Sequence, residues 1–131
     1  MYRAEEDYLK TIYELTVEKN QPLIKISELS AYMKLTDQTV NEMVKKLVAK
    51  KLLDFEPYKG VSLTPKGTGE ALRMVRAHRI WEVFLTEKLG FKWSDVHEEA
   101  EMLEHSASER VVEKLNEYLQ TLVSSSSYEL R

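Results

Sequence analysis

The 131 residues predict a mainly α-helical chain interrupted by one β-hairpin. Three observations predict it. Apolar residues recur at helical spacing over residues 4–19, 26–34, 37–50, 65–89 and 108–122. Two short strand-like runs, 51–56 and 60–64, flank the turn sequence Pro57-Tyr58-Lys59-Gly60. Charge is segregated: residues 25–79 hold 11 basic and 6 acidic side chains, a net +5, whereas residues 80–131 hold 5 and 11, a net −6. A basic middle and an acidic end suggest phosphate contact in one part, and cation contact or oligomerisation in the other.

The first helix carries Tyr8, Leu9, Ile12, Tyr13 and Leu15 as its apolar stripe, with Asp7 just ahead of it and Gln21-Pro22 as the stop. A short second helix presents Ile26, Leu29 and Met33 and breaks at Leu35-Thr36. Thr36 is a suitable N-cap for the third helix, whose inward positions are Val40, Met43, Val44 and Leu47. Its outward positions are Asp37, Gln38, Thr39, Asn41, Glu42, Lys45 and Lys46. Two helices, a tight turn and a polar, basic outer face describe a helix-turn-helix, or else a plain helical hairpin with a solvated face. The hairpin that follows favours the first: it forms a wing, with Lys59 near its tip in reach of a phosphate. Thr36, Gln38, Thr39, Asn41, Glu42, Lys45, Lys46 and Lys59 are therefore the expected DNA contacts.

Thr64-Pro65 starts a long fourth helix over 65–89, with Thr as N-cap and Pro at the first helical position. Ala71, Leu72, Val75, Trp81, Phe84, Leu85 and Leu89 are its apolar positions, Arg73, Arg76 and Arg79 its basic face, and Gly90 its end. Ser94-Asp95 is the expected cap of a fifth helix, and Ser106 with Glu109 has capping-box spacing before a sixth over 108–122. The expected organisation is a DNA-binding domain over 1–64, a connector and helical metal-binding and dimerisation domain over 65–123, and a frayed Ser-rich tail over 124–131. Trp81, Phe84, Leu85, Phe91, Trp93, Val111, Val112, Leu115 and Leu119 exceed what so small a segment can bury, which predicts a homodimer.

The chemistry concentrates in the fifth helix. His97, Glu101, Glu104 and His105 share one face there. Two imidazoles and two carboxylates suit a divalent cation, although an acidic face can equally be solvated. The third histidine, His78, lies on the fourth helix with Glu82 one turn later. There is no cysteine, so thiolate metal sites, disulfides and cysteine nucleophiles are excluded. No apolar run approaches a membrane span and the N-terminus is not a signal peptide, so the expectation is a cytoplasmic protein without membrane contact. An enzyme is not expected: Glu101-x-x-Glu104-His105 matches neither His-Glu-x-x-His nor Glu-x-x-His, and no nucleophile or phosphate loop accompanies it. No small organic substrate is implied either.

Four segments carry a resemblance over about residues 4–122. They are Glu6 to Lys10, Lys59 to Gly67, His78 to Leu85 and His97 to His105. The sequence resembles the metal-dependent repressors related to the diphtheria toxin repressor, and within them the manganese transport regulators. The resemblance implies a principal metal site of Asp7, Glu101, Glu104 and His105, and a second of His78, Glu82 and His97. In the iron-responsive branch, sulfur ligands stand where this chain has Asp7 and Glu101, and carboxylates there harden the site toward Mn(II). Lys10 occupies the position at which the compact two-metal variant needs a carboxylate, so two separate sites are expected. Many relatives continue into a third, small β domain. The resemblance thus implies a homodimeric repressor of manganese-uptake genes with Mn(II) as corepressor, acting on a palindromic double-stranded operator. Fe(II) is the alternative cofactor, other divalent metals being accepted in vitro, and a metal-independent winged-helix regulator is the alternative function.

Overall fold

The structure is a computed structural model that describes residues 2–122, and side chains through residue 120. The Ser-rich tail and the side chain of Leu122 lie outside the described residues. The elements run α1 (Arg3–Lys19), α2 (Ile26–Met33), α3 (Asp37–Ala49), β1 (Leu53–Glu56), β2 (Gly60–Leu63), α4 (Pro65–Leu89), α5 (Trp93–Ser106) and α6 (Glu109–Leu122). The predicted class holds: a helix-turn-helix with a two-stranded wing, then helices. The chain divides into two compact units, one through Leu72 and one from Arg73, so α4 begins in the first and continues into the second.

In the first unit, Tyr8, Leu9, Ile12 and Leu15 of α1 meet Leu29 of α2 and Val40, Val44 and Leu47 of α3, with Leu53, Val61 and Ala71 closing the core. Leu9, Ile12, Leu29 and Leu47 have no exposed surface, so truncating any one of them to Ala would cost about 2–5 kcal/mol. Three helix ends are closed by residues in the left-handed region rather than by glycine: Asn20, Lys34 and Lys51. In each case the next amide donates back five residues, Gln21 to Thr16 O, Leu35 to Ser30 O and Leu52 to Leu47 O. Lys51 therefore ends α3, and β1 starts at Leu53 rather than at residue 51.

The α1 first turn also holds two carboxylates that are almost fully buried, Glu5 and Glu6. Glu5 accepts a bond from Lys50 Nζ at 2.6 Å and another from the Tyr2 amide at 3.1 Å. The Lys50 ammonium holds the Glu5 carboxyl below its usual range against the opposing effect of burial. This ties the start of α1 to the end of α3. At the other end of α3, Thr36 Oγ1 accepts from the Thr39 amide at 3.1 Å, the predicted N-cap, and the buried Ser30 hydroxyl donates to Asp37.

The wing is an antiparallel hairpin in which Leu53 faces Leu63 and Glu56 faces Gly60. The α1–α2 loop adds one bridge to it, with Ile24 and Val61 exchanging amide bonds at 2.9 and 2.8 Å. Gly60 makes that approach possible: at φ 131, its Cβ would lie 2.4 Å from Ile24 O. Thr64 Oγ1 accepts from the Gly67 amide at 3.0 Å and packs against the carbonyls of Lys51 and Leu52, joining wing to α4.

In the second unit, Ala77 and Ile80 of α4 pack on Val112 and Leu119 of α6, and Leu85 packs on Val96 and Ala100 of α5. Arg76 pairs with Glu113, linking α4 to α6. Gly90, at φ 71, terminates α4 as predicted. Two predicted caps are corrected. Lys92, not Ser94-Asp95, is the N-cap of α5, which starts at Trp93 and uses backbone bonds from Asp95 and Val96 to Lys92 O. Ser106 donates to Met102 O, so Ser108, accepting from the Val111 amide at 3.2 Å, caps α6 instead.

Gly67 sits where α4 meets the wing, and a Cβ there would lie 2.0 Å from Leu52 O, a backbone atom. Gly67→Ala is expected to destabilise the first unit by about 2–3 kcal/mol, as overpacking against a fixed carbonyl does. A urea midpoint unchanged from the wild type would contradict this contact.

Candidate metal centre

Helices α4 and α5 bring imidazoles and carboxylates together in the second unit. His78, Glu82 and His97 each offer a donor atom, and these atoms lie within 4.8 Å of one another. His78 is buried, Glu82 half-buried and His97 exposed. The His78 and His97 rings meet edge to face at 4.8 Å between centroids. His78 Nε2 lies 3.4 Å from Glu82 Oε1. Around a six-coordinate first-row ion, neighbouring donors are roughly 3 Å apart, given bonds of about 2.0–2.2 Å. The cluster is therefore slightly open, and its exposed member, His97, has the room to close it. Nitrogen and carboxylate donors without sulfur fit a divalent first-row cation, so residues and group are compatible.

His78 is the fixed member. Its Nδ1 lies 2.6 Å from Glu104 Oε1, and the Glu104 side chain has no exposed surface. With Nδ1 engaged by the Glu104 carboxylate, Nε2 is the ring nitrogen turned toward Glu82 and available to a cation. A carboxylate that orients an imidazole so that its other nitrogen can ligate is a recurring arrangement at metal sites.

The predicted α5 face is thus divided. Glu104 points inward, on the phase of Val96 and Ala100, and joins His78 of α4. His97 and Glu101 stay outside, with His97 Nε2 3.8 Å from Glu101 Oε2. Glu101, His105 and Asp7 are all partly exposed, Asp7 on α1 of the first unit. Glu104, expected among the principal ligands, lies against His78. Its helical phase, eight residues after Val96 and four after Ala100, was the available signal.

In the first unit all eight expected DNA contacts are exposed. Gln38, Thr39, Asn41, Glu42, Lys45 and Lys46 ride on α3, Thr36 caps it and Lys59 stands on the wing. Thr36 spends its hydroxyl on the cap and on Thr39 Oγ1 at 2.9 Å. Lys59 Nζ lies 3.3 Å from Glu56, an exposed pair that contributes little. Beside them, Val44, Val48 and Phe55 line, with Asn41 and Lys45, a surface cavity of about 190 Å³. No described helix is long and apolar enough to cross a membrane.

Two family models match. Residues 1–61 match the iron dependent repressor N-terminal DNA binding domain, and residues 64–126 the iron dependent repressor metal binding and dimerisation domain. An HTH-type transcriptional regulator of Methanocaldococcus jannaschii is 37% identical over 92% of this chain and 95% of its own length. The HTH-type transcriptional regulator MntR of Geobacillus thermodenitrificans is 30% identical over 88% of this chain and 79% of its own. Among solved structures, the manganese regulator SloR aligns with a TM-score of 0.74 at 40% identity, covering 88% of this chain. The chain spans about half the length of that structure, 53%. These relatives are transcriptional regulators.

Glu104→Gln replaces the acceptor carboxylate with an amide that can also donate. Divalent-cation affinity at the His78 cluster is expected to fall about 10–100-fold, as loss of an orienting partner does. Calorimetry on an Asp7→Ala/His105→Ala background isolates that cluster; unchanged affinity there would remove Glu104 from its support.

Proposed function

Because this chain belongs to the iron-dependent repressor family, the metal-dependent transcriptional regulators of diphtheria-toxin-repressor type, we propose that it is a Mn(II)-dependent repressor of metal-uptake genes. The observation that carries this reading is the His78–Glu82–His97 cluster, with donor atoms within 4.8 Å, inside the segment matched to metal binding and dimerisation. All its donors are nitrogen or carboxylate oxygen, and the proposed principal ligands Asp7, Glu101, Glu104 and His105 are of the same kind. The carboxylate oxygens among them favour Mn(II) over the softer metals that sulfur ligands would select. The similarity to a protein described as a manganese regulator supports the same choice.

The DNA-binding domain is proposed to act through α3, where Gln38, Thr39 and Asn41 meet base edges and Lys45 and Lys46 meet phosphates, with Lys59 on the wing adding a further phosphate contact. As a dimer the chain would read a palindrome, two α3 helices facing half-sites one turn apart or a multiple of it. The bound cation supplies positive charge that lets carboxylates gather. Asp7 belongs to the first unit and Glu101, Glu104 and His105 to the second. A cation taking ligands from both would hold α1, and through Glu5–Lys50 the end of α3, in one relation to the dimerising helices. Metal can favour the DNA-competent state only by binding it more tightly than the alternatives. A regulator that binds DNA works in the compartment that holds it, the cytoplasm.

Asp7→Ala tests the coupling. The variant retains Glu101, Glu104 and His105, so Mn(II) should still bind, several-fold more weakly. DNA binding at saturating Mn(II) should fall further than metal affinity does. Gel-shift titrations with Mn(II), Fe(II) and Zn(II), beside calorimetry, read both quantities. An Asp7→Ala chain that binds DNA normally at saturating Mn(II) would sink the coupling, and stronger activation by Fe(II) than Mn(II) would reassign the corepressor.

A further inference from the structure

The wing tip contains a residue that the fold does not explain. Glu56 O accepts from the Lys59 amide at 3.0 Å, closing a four-residue turn over Glu56-Pro57-Tyr58-Lys59. Proline fixes a negative φ at the second position, and Tyr58 at the third has φ 67. That combination is a type II turn, whose third position is ordinarily glycine or asparagine. For a residue with a Cβ, and a bulky aromatic above all, the left-handed region is unfavourable. Burial does not offset this, because Tyr58 is 101% exposed. A strained backbone that persists without packing to hold it points to a function outside the chain.

The hairpin's charge does not supply that function. Over residues 53–63 it carries Asp54, Glu56 and Lys59, one net negative charge, so phosphate contact by the wing is limited to Lys59. Its exposed large groups are instead two aromatics, Phe55 at 45% and Tyr58. Phe55 lines one cavity with Asn41, Val44, Lys45 and Val48 of α3, so the wing continues the exposed face of that helix. Both lie within the segment matched to DNA binding.

We propose that Tyr58 is a DNA-contact residue, its ring packing on the sugar and base edges of the groove beside the one α3 enters. This rests on the DNA-binding reading above. An aromatic ring with a hydroxyl can stack or wedge on the nucleic acid while bonding a polar edge, and neither contact releases counterions. Tyr58 would add affinity that salt does not screen, beside a lysine whose contribution salt does screen.

The test uses the full chain at saturating Mn(II) and a labelled duplex enriched from a random pool by the wild type. Tyr58→Asn keeps a residue tolerant of the left-handed region, and Tyr58→Gly removes the strain. Both should weaken DNA binding about ten-fold, leave the slope of log K against log salt at the wild-type value, and leave the unfolding midpoint unchanged or raised. Lys59→Ala should instead reduce that slope by about one phosphate contact. Variants of Tyr58 that bind as the wild type does would overturn the proposal, and so would affinity and stability falling together, which would make Tyr58 structural. If the wild type enriches no duplex, the DNA-binding reading falls and this proposal with it.

Discussion

A carboxylate with no exposed surface must be paired, and in the second unit Glu104 meets His78. That one contact sets the rest of the centre. It engages Nδ1 of His78, directs Nε2 toward Glu82, and fixes α4 to α5 at the level where His97 overhangs. It also makes His78 the rigid member of a cluster whose remaining donors are more exposed. A cation arriving there would meet one preset ligand and two adjustable ones, so little conformational freedom is lost in completing the site.

The first unit solves a different problem, holding α3 at both ends while leaving its outer face to solvent. Ser30 and the Thr36 cap define its start, and Lys51 in the left-handed region, with Lys50 on Glu5, defines its finish. The core pins the inner stripe of Val40, Val44 and Leu47. What remains exposed is polar and basic over most of the helix and apolar near Val48 and Phe55. A surface of that composition combines contacts that salt weakens with contacts that it does not.

Much of this fold is legible in the sequence, because it rests on periodicity and on strong local signals. Thr64-Pro65 opens α4, Gly90 closes it, and the stripes of α1 and α3 are the ones that form the core. What stays hidden are choices between near-equal local options. Lys92 caps α5 through backbone alone, so the better capping side chains of Ser94 and Asp95 mislead. Ser106 bonds back to its own helix, so the cap passes to Ser108. The two helix ends closed by Lys34 and Lys51 carry no residue-type signal, and the Ile24–Val61 bridge joins loop to wing across a distance in sequence that patterning does not span. In the metal centre, residue types and spacing single out the histidines and carboxylates, and only the packing of α4 on α5 reveals that Glu104 serves His78. Glu5 is the analogous case on α1: it shares the helical phase of Tyr8, Leu9 and Ile12, and its charge disguises a buried position.

Coupling between metal and DNA binding is reciprocal. The most direct measurement is Mn(II) affinity by calorimetry for the wild-type chain, with and without a saturating duplex enriched by the protein itself. Mn(II) is expected to bind more tightly in the presence of DNA, by the same factor by which saturating Mn(II) tightens DNA binding, typically about 5–150-fold for such coupling. An Mn(II) affinity identical in the two states would contradict it, however tightly each ligand binds alone.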